Sequence, residues 1–392
     1  MKTIVIIVIF LITGCFSLFA QNSIDAVLSE VEKNNTTLSA LRKQVDAQKL
    51  GNRTGIYLKN PEFEFNYLWG NPSDIGNRTD VTITQSFDFP TAYNFKKQIG
   101  EARNEQAELE YQKQKRTILL EARLICMDLI YTNALQVEMI KRVNNAQTIA
   151  DAYNTKFEKG ETNIIENNKA QLNLLNIRKE AEVIEINRNA LLSELALLNG
   201  GLTIQLNDIS FLSPEIPVDF EQWYLVAEQN NPLLNWLKQE IEITQQQEKL
   251  NLAMSLPKMY TGYMSEKVVG VNYRGITVGI SIPLWENKNT VKYAKAQTTA
   301  IQGIADDNKL NFYHQLKSQH AKAISLQQTV IDYRKLLKDY DNSLLLEKAL
   351  NKGEISLTDY LFELSFYYHS INSLLEAELK MNKSVAELNQ YL

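Results

Sequence analysis

The feature that most limits what this chain can fold into is a duplication within it. Asn34-Asn35, Leu38, Leu41 and Pro61 recur as Asn230-Asn231, Leu234, Leu237 and Pro257, each 196 residues on. Pro90 recurs as Pro283, and Lys159-Gly160-Glu161 as Lys352-Gly353-Glu354, each 193 residues on. Self-similarity at a fixed period means one structural unit made twice, so a fold assigned without it would be misassigned throughout. The offset changes once, by three residues, between Pro61 and Pro90. The sequence therefore predicts a leader over 1–20, a first unit over 21–200, a linker over 201–230 and a second unit over 231–392.

The segment holding the length difference reads as strand. Phe63, Phe65, Tyr67 and Trp69 alternate with Glu62, Glu64 and Asn66, and Val81, Ile83, Phe87 and Phe89 alternate with Thr82, Thr84, Ser86 and Asp88. In the second unit Ile276, Val278, Ile280 and Ile282 alternate with Thr277, Gly279 and Ser281, with a weaker strand pattern over 259–264. Period two gives each strand one apolar and one polar face. The turn-rich stretches 70–77 and 266–274 are expected to link the strands and absorb the three-residue difference. An alternating hairpin usually packs on a soluble core, but here no further strands are predicted to cover it. A transmembrane barrel needs this outward apolar band and inward polar row. Four strands cannot close one, because about eight is the minimum, so strands must be pooled between copies of the chain.

The remainder reads as helix. Gly contributes 15 and Pro 8 of 392 residues, roughly half the usual shares of about 7% and 5%. Pro90 to Gly160 and Pro283 to Gly353 are each 70 residues apart with no proline between, and at 1.5 Å per residue each could extend about 100 Å. Met139, Val143, Ala146, Ala150, Tyr153 and Phe157 step by four and three, the seam of a coiled coil. After each Lys-Gly-Glu the chain is expected to return as a helix, over 163–199 and 356–392. A first helix such as 24–54, stacked end to end on 163–199, would match one long helix in length. Pro214, Pro217 and a short amphipathic helix near Trp223 mark the linker.

The first twenty residues differ in kind. Lys2, an apolar run from Ile4 to Ile12 and Ala20 before Gln21 form a secretory signal peptide. In the alternative reading Ile12-Thr13-Gly14-Cys15 is a lipoprotein cleavage box that leaves Cys15 lipidated. No window reaches the ~20 apolar residues of a spanning helix. A formal charge of −5 argues against nucleic-acid binding, which shows as basic clusters. Cys126 would be the lone cysteine after cleavage, and His314, His320 and His369 have no metal-ligand spacing, so neither disulfide, metal nor cofactor is expected. GxSxG, HExxH and phosphate-loop motifs are missing from the sequence, which argues against an enzyme.

In this order, twice over, the Asn-Asn-x-x-Leu motif, the proline after each second strand (Pro90, Pro283) and the Gly-Glu turn (Gly160, Gly353) make the chain resemble the TolC-type outer-membrane efflux proteins. The resemblance covers essentially the whole chain after the leader. It implies a mainly α fold with a β-barrel contribution, built as a homotrimer with a twelve-strand barrel in outer-membrane lipid of a Gram-negative bacterium. A twelve-helix tunnel would cross the periplasm, and its tip would dock a periplasmic adaptor and an inner-membrane pump. It implies a closed constriction lined by acids just past the second tip turn, where Asp359 falls, and held by polar links beside the first, where Glu166 falls. The position of a further lining acid is occupied by Phe362, with Glu363 beside it, and the basic link residue is replaced by Ile355. Glu161 and Glu354 at the tip turns are the expected adaptor contacts. In physical terms, three Asp359 carboxylates around a narrow axis would attract cations. An acid in a helix's first turn more commonly just complements the helix dipole. A second functional class also fits: a periplasmic coiled-coil scaffold or adaptor, lipid-anchored through Cys15, whose hairpins form a small soluble sheet.

Overall fold

The structure, a computed structural model, describes residues 23–392. The predicted leader and Cys15 lie outside the described residues. In chain order the elements are α1 (Ser23–Asn34), α2 (Thr36–Gly51), β1 (Glu62–Leu68), a short 3-10 turn (Ser73–Ile75), β2 (Arg78–Phe87), α3 (Pro90–Glu158), α4 (Ile164–Leu198), α5 (Phe220–Asn230), α6 (Pro232–Met254), β3 (Lys258–Val268), β4 (Val271–Ser281), α7 (Thr290–Asp339), α8 (Ser343–Lys352) and α9 (Leu357–Asn389). The fold is mainly helical with one antiparallel sheet, ordered β1-β2-β3-β4. Two compact units result, and each draws on both halves of the duplication. One comprises Ala40–Lys113 and Glu228–Phe312; the other comprises the described residues to Ser39 with Gln114–Ala227 and Tyr313–Leu392.

The first unit carries the sheet. Register puts Phe63, Ile83, Tyr263 and Ile276 in one row across all four strands, and Phe87, Met259 and Ile280 in another on the same face. The opposite face carries Glu62, Thr84, Gly262 and Thr277 in one row and Asn66, Asp80, Glu266 and Tyr273 in another. The apolar face is open: Ile276 is 82%, Val278 76% and Phe63 67% exposed. Strands β1 and β4 are exposed along almost their whole length, and each keeps one unpaired edge. The helices of this unit meet through Ile99, Ala102 and Ile243, flanked by Leu250. Arg42 and Lys49 both reach Glu108, at 2.6 and 2.9 Å, and the Lys49 hydrogen bond, foremost, holds the Glu108 carboxyl below its ordinary range.

The predicted linker 266–274 is strand instead. Strands β3 and β4 each run 11 residues and join through Val269 and Gly270 alone, both at positive φ (43° and 81°). Successive positive φ values suit a two-residue hairpin, whose twist matches that of its strands. The first hairpin keeps the long connection expected, from Trp69 to Asn77. Pro90 is the first residue of α3, where its fixed φ and missing N–H cost nothing. Pro283 also stands between strand and helix, but α7 begins only at Thr290. Asn289 at φ 67° interrupts helical propagation, and Asn287 donates its side-chain amide to the Met254 carbonyl at 2.7 Å, fixing the intervening turn.

In the second unit α1 lays Ile24, Val27 and Val31 against Ala122, Ile125, Cys126 and Leu129 of α3, with Leu195 of α4, Ile204 and Leu206 of the linker, and Ala386 of α9. Asn133 of α3 holds the linker by donating to the carbonyls of Leu206 (2.9 Å) and Asp208 (3.0 Å). The predicted helix 24–54 is two helices, because the Asn35 side chain accepts from the Leu38 N–H at 2.8 Å and starts α2. Asn231 does the same for α6, accepting from the Leu233 and Leu234 N–H groups. The duplicated Asn-Asn pair is thus a duplicated N-cap. Gly200, at φ 68°, ends α4 where a Cβ would lie 2.4 Å from the Asn34 carbonyl oxygen. The first long helix is continuous over 69 residues. The second is not: it breaks at Tyr340–Asn342 into α7 and α8, because Asp341 accepts from the Ser343 N–H (3.1 Å) and hydroxyl (2.6 Å) and starts a new helix.

Candidate functional site

The two Lys-Gly-Glu turns are built identically. Gly160 lies at φ 72° and Gly353 at φ 73°. The Gly160 N–H bonds the Phe157 carbonyl and the Glu161 N–H the Lys156 carbonyl; Gly353 and Glu354 bond Leu350 and Ala349 in the same pattern. This is a Schellman ending, which needs a left-handed residue and so selects glycine. The lysine completes the last turn, and the glutamate side chains at positions 161 and 354 are exposed. Glu354 makes only a loose pair with Lys352 at 3.7 Å.

Each turn then starts a helix with a side-chain cap. Asn163 accepts from the Glu166 N–H at 3.0 Å. Ser356 and Asp359 form a reciprocal box: the Asp359 N–H donates to Ser356 Oγ at 3.1 Å, and the Ser356 hydroxyl donates to Asp359 Oδ2 at 2.6 Å. Glu166 and Asp359, 193 residues apart, occupy the same capping position in the two repeats. Below these caps Ala146, Ile149 and Ala150 of α3, Ala170 and Leu174 of α4, Leu350 of α8, and Leu357, Tyr360 and Leu364 of α9 share one buried cluster. Burying a leucine such as Leu357, 1% exposed, stabilises by about 1.5–3 kcal/mol.

The structure links the starts of α4 and α9 through Lys169. Its ammonium donates to Glu166 Oε1 at 2.9 Å and to Thr358 Oγ1 at 3.0 Å, one residue from Asp359. The lysine, which the sequence reading did not single out, joins Glu166 to Thr358 and makes no bond to Asp359, whose carboxylate stays with Ser356. A signal was available: Lys169 is the repeat counterpart of Phe362, 193 residues on. Ile355, which stands where the resemblance expects a basic residue, packs half-buried on the cluster around Leu357. Phe362 is 60% and Phe366 56% exposed, their rings edge to face at 4.8 Å. Glu363 is exposed beside them. Asp359 is likewise exposed.

Further along, α9 is tied to α3 by polar groups. The predicted seam has Met139, Ala146 and Ala150 buried, while Phe157 is 39% exposed. Beside it stands a residue outside the predicted seam: Arg142, buried, donates to Asn372 Oδ1 at 2.8 Å and stacks over the Tyr368 ring at 4.4 Å. Burial pulls its pKa down. Asn145 donates to the hydroxyls of Tyr360 (3.0 Å) and Tyr368 (3.4 Å). At the helix break the Tyr367 hydroxyl donates to Asp341 Oδ2 at 3.1 Å. Burial first, then the Asp341 charge, pushes the Tyr367 phenol up to about 12, and the Ser343 hydroxyl, foremost, holds Asp341 below its ordinary range.

Chemically this arrangement can hold two helix starts together and present carboxylates and aromatic rings to solvent. Among the described residues no group of three or more His, Cys, Asp and Glu side chains could hold a metal ion. Among them, too, no helix is long and apolar enough to cross a membrane.

Neither a protein-family model nor a curated protein sequence matches the chain. Solved structures do. CusC, solved in a study of its folding and transmembrane channel formation, is similar at a TM-score of 0.79 and 14% identity, over 95% of this chain and 92% of that one. The outer membrane channel CmeC of Campylobacter jejuni is similar at 0.76 and 13%, over 94% and 85%. The outer membrane protein VceC of Vibrio cholerae is similar at 0.75 and 12%, over 94% of each chain.

Proposed function

From the TolC-type outer-membrane-channel fold that this chain has, we propose that it is one subunit of a passive exit duct in the outer membrane of a Gram-negative bacterium. Three copies pool their strands into a twelve-strand barrel, with the helices in the periplasm. Solutes delivered by an inner-membrane pump through a periplasmic adaptor leave by this duct, and the chain carries out no chemistry on them. The tip turns Gly160-Glu161 and Gly353-Glu354 are the adaptor-facing ends, and Asp359, Phe362 and Glu363 line a constriction braced by Glu166, Lys169 and Thr358.

One observation carries this reading: a single four-stranded sheet with an apolar face exposed across all strands, a polar face behind it and two unpaired edges. In water such a sheet leaves Ile276, Val278 and Phe63 solvated and its edges open to aggregation. In lipid, closed on copies of itself, it satisfies both requirements. Aromatic side chains flank the apolar rows. Trp69 is 80% exposed at the end carrying the strand turns, and Trp285 77% and Tyr57 80% exposed at the end joined to the helices. Such belts sit at membrane–water interfaces.

The test is fractionation followed by electrophysiology. The protein should stay with outer membranes through carbonate and high-salt washing, need detergent for release, run as a trimer and give discrete conductance steps in planar bilayers. A monomer released by carbonate would sink the proposal.

A further inference from the structure

The sheet sorts its charges by face. Register places Lys267 and Arg274 on the apolar face, with Phe63, Phe65, Val81, Ile83, Ile276, Val278 and Ile280, and no other charged residue of the four strands shares that face. The carboxylates Glu62, Glu64, Asp80 and Glu266 all lie on the polar face, where Asp80 and Glu266 take Arg78 at 2.9 and 3.2 Å. Lys267 and Arg274 are both exposed. Among the described residues neither side chain makes an ion pair or hydrogen bond.

The two cations are neighbours. Arg274 pairs with Ser265, two residues before Lys267 on β3, so they sit on one diagonal of the ladder. Side chains so placed lie within reach of one ligand. Both stand at the Val269–Gly270 turn end, away from the connections to α6 and α7. The ten steps of β4 run about 34 Å along the strand, or about 25 Å along the membrane normal at the tilt of a barrel strand, the height of its apolar band, and Lys267 and Arg274 stand one and three residues from the turn ends of their strands. The cations therefore fall at the band's outer margin. A copy pairing its β1 against this β4 contributes Phe63, Phe65 and Tyr67 to the face and no carboxylate.

The geometry points to a binding site for the phosphate groups of anionic membrane lipid, made by Arg274 and Lys267 on the lipid-facing side of the sheet at its turn end. Unpaired cations at the border of an apolar surface gain by meeting headgroup phosphate, and guanidinium matches phosphate in two-point geometry. The inference rests on the channel reading, since it needs this face to lie in lipid.

The experiment uses the full chain purified in neutral detergent, with bisphosphorylated lipid A as the probe. Binding is titrated by native mass spectrometry for the wild type and for Arg274→Gln combined with Lys267→Gln. The paired substitution should weaken binding roughly 10- to 30-fold, from two cations at the headgroup level. A control pair on the polar face, Glu62→Gln with Glu64→Gln, should stay within about twofold of the wild type, since its charges lie away from the lipid side. Equal binding by the Arg274/Lys267 variant overturns the inference. So does equal binding of dephosphorylated lipid A, which assigns contact to the apolar band alone, or full competition by inorganic phosphate, which makes the site one for free anion. A wild-type protein that fails to enter bilayers defeats the channel reading instead, and is scored separately by vesicle flotation.

Discussion

Val278 and Thr277 are adjacent on β4 but belong to opposite faces, and an arginine at each should have opposite outcomes. Val278 lies between Ile276 and Ile280 on the apolar face, in a row with Thr261 and Gln85, and is 76% exposed. If that face meets hydrocarbon, Val278→Arg places a cation near the middle of the band and costs about 2–4 kcal/mol per chain. If it meets water, an exposed valine exchanged for arginine changes stability by no more than about 0.5 kcal/mol. Thr277 faces the row of Gly262, Thr84 and Glu62, so Thr277→Arg should fall within about 0.5 kcal/mol in either environment. The assay is reversible urea unfolding of protein folded into vesicles, followed by tryptophan fluorescence, with the trimer fraction read by electrophoresis. The expected result is a midpoint lowered for the 278 variant alone. Equal costs at the two positions, or a larger cost at 277, would refute the assignment of faces and with it the barrel.

If Asp359 lines the proposed constriction, Asp359→Asn should reduce cation preference in planar bilayers while sparing most of the helix cap, which is worth about 1 kcal/mol; unchanged selectivity would rule out that role. Lys169→Ala breaks the link from Glu166 to Thr358. The pair is partly exposed, so stability should change by under about 1 kcal/mol, but conductance at low salt should rise and the difference should fade as salt screens the pair; equal single-channel records would leave Lys169 without a bracing role. Tyr367 has a raised folded pKa of about 12 against about 10 unfolded, so the folded state holds the proton more tightly. Its contribution is full below about pH 10 and disappears as pH rises through about 12. Alkaline unfolding followed by circular dichroism should begin in that window and be blunted in Tyr367→Phe. Cys126, buried and pushed up to about 12 by desolvation, should resist maleimide until the chain is unfolded; labelling of native protein would contradict the packing of α1 on α3.

The strands that were legible in the sequence are those with strong alternation. β1 and most of β2 and β4 show it, because aromatic or aliphatic residues alternate cleanly with short polar ones. β3 was blurred: Tyr260 and Met264 sit on its polar face, and only pairing with β2 and β4 fixes which side each residue takes. The stretch 266–274 looked like a linker because its glycine and polar residues are turn formers, yet the ladder continues through it to Val268 and resumes at Val271. The break in the second long helix is not marked by proline, the one breaker considered for that segment. Asp341-Asn342-Ser343 is a run of capping residues, and Asp341 alone supplies the competing hydrogen bonds. The same applies to Asn35, read as a repeat marker and found to be a helix start. Glu166 and Asp359 were named from the family resemblance, whereas Lys169 was not, because its bond to Thr358 spans 189 residues and depends on how α4 and α9 pack.

If the proposed channel is right, a sheet with one raw margin at β1 and another at β4 would also set the order of events in biogenesis. A solitary copy arriving in the bilayer would expose unpaired backbone amides and carbonyls to hydrocarbon on both flanks, each at a cost of several kcal/mol. On the channel reading, insertion and association would then be one step: the solvent would enforce stoichiometry, and a copy that had not met its siblings would have to be kept sheltered in transit.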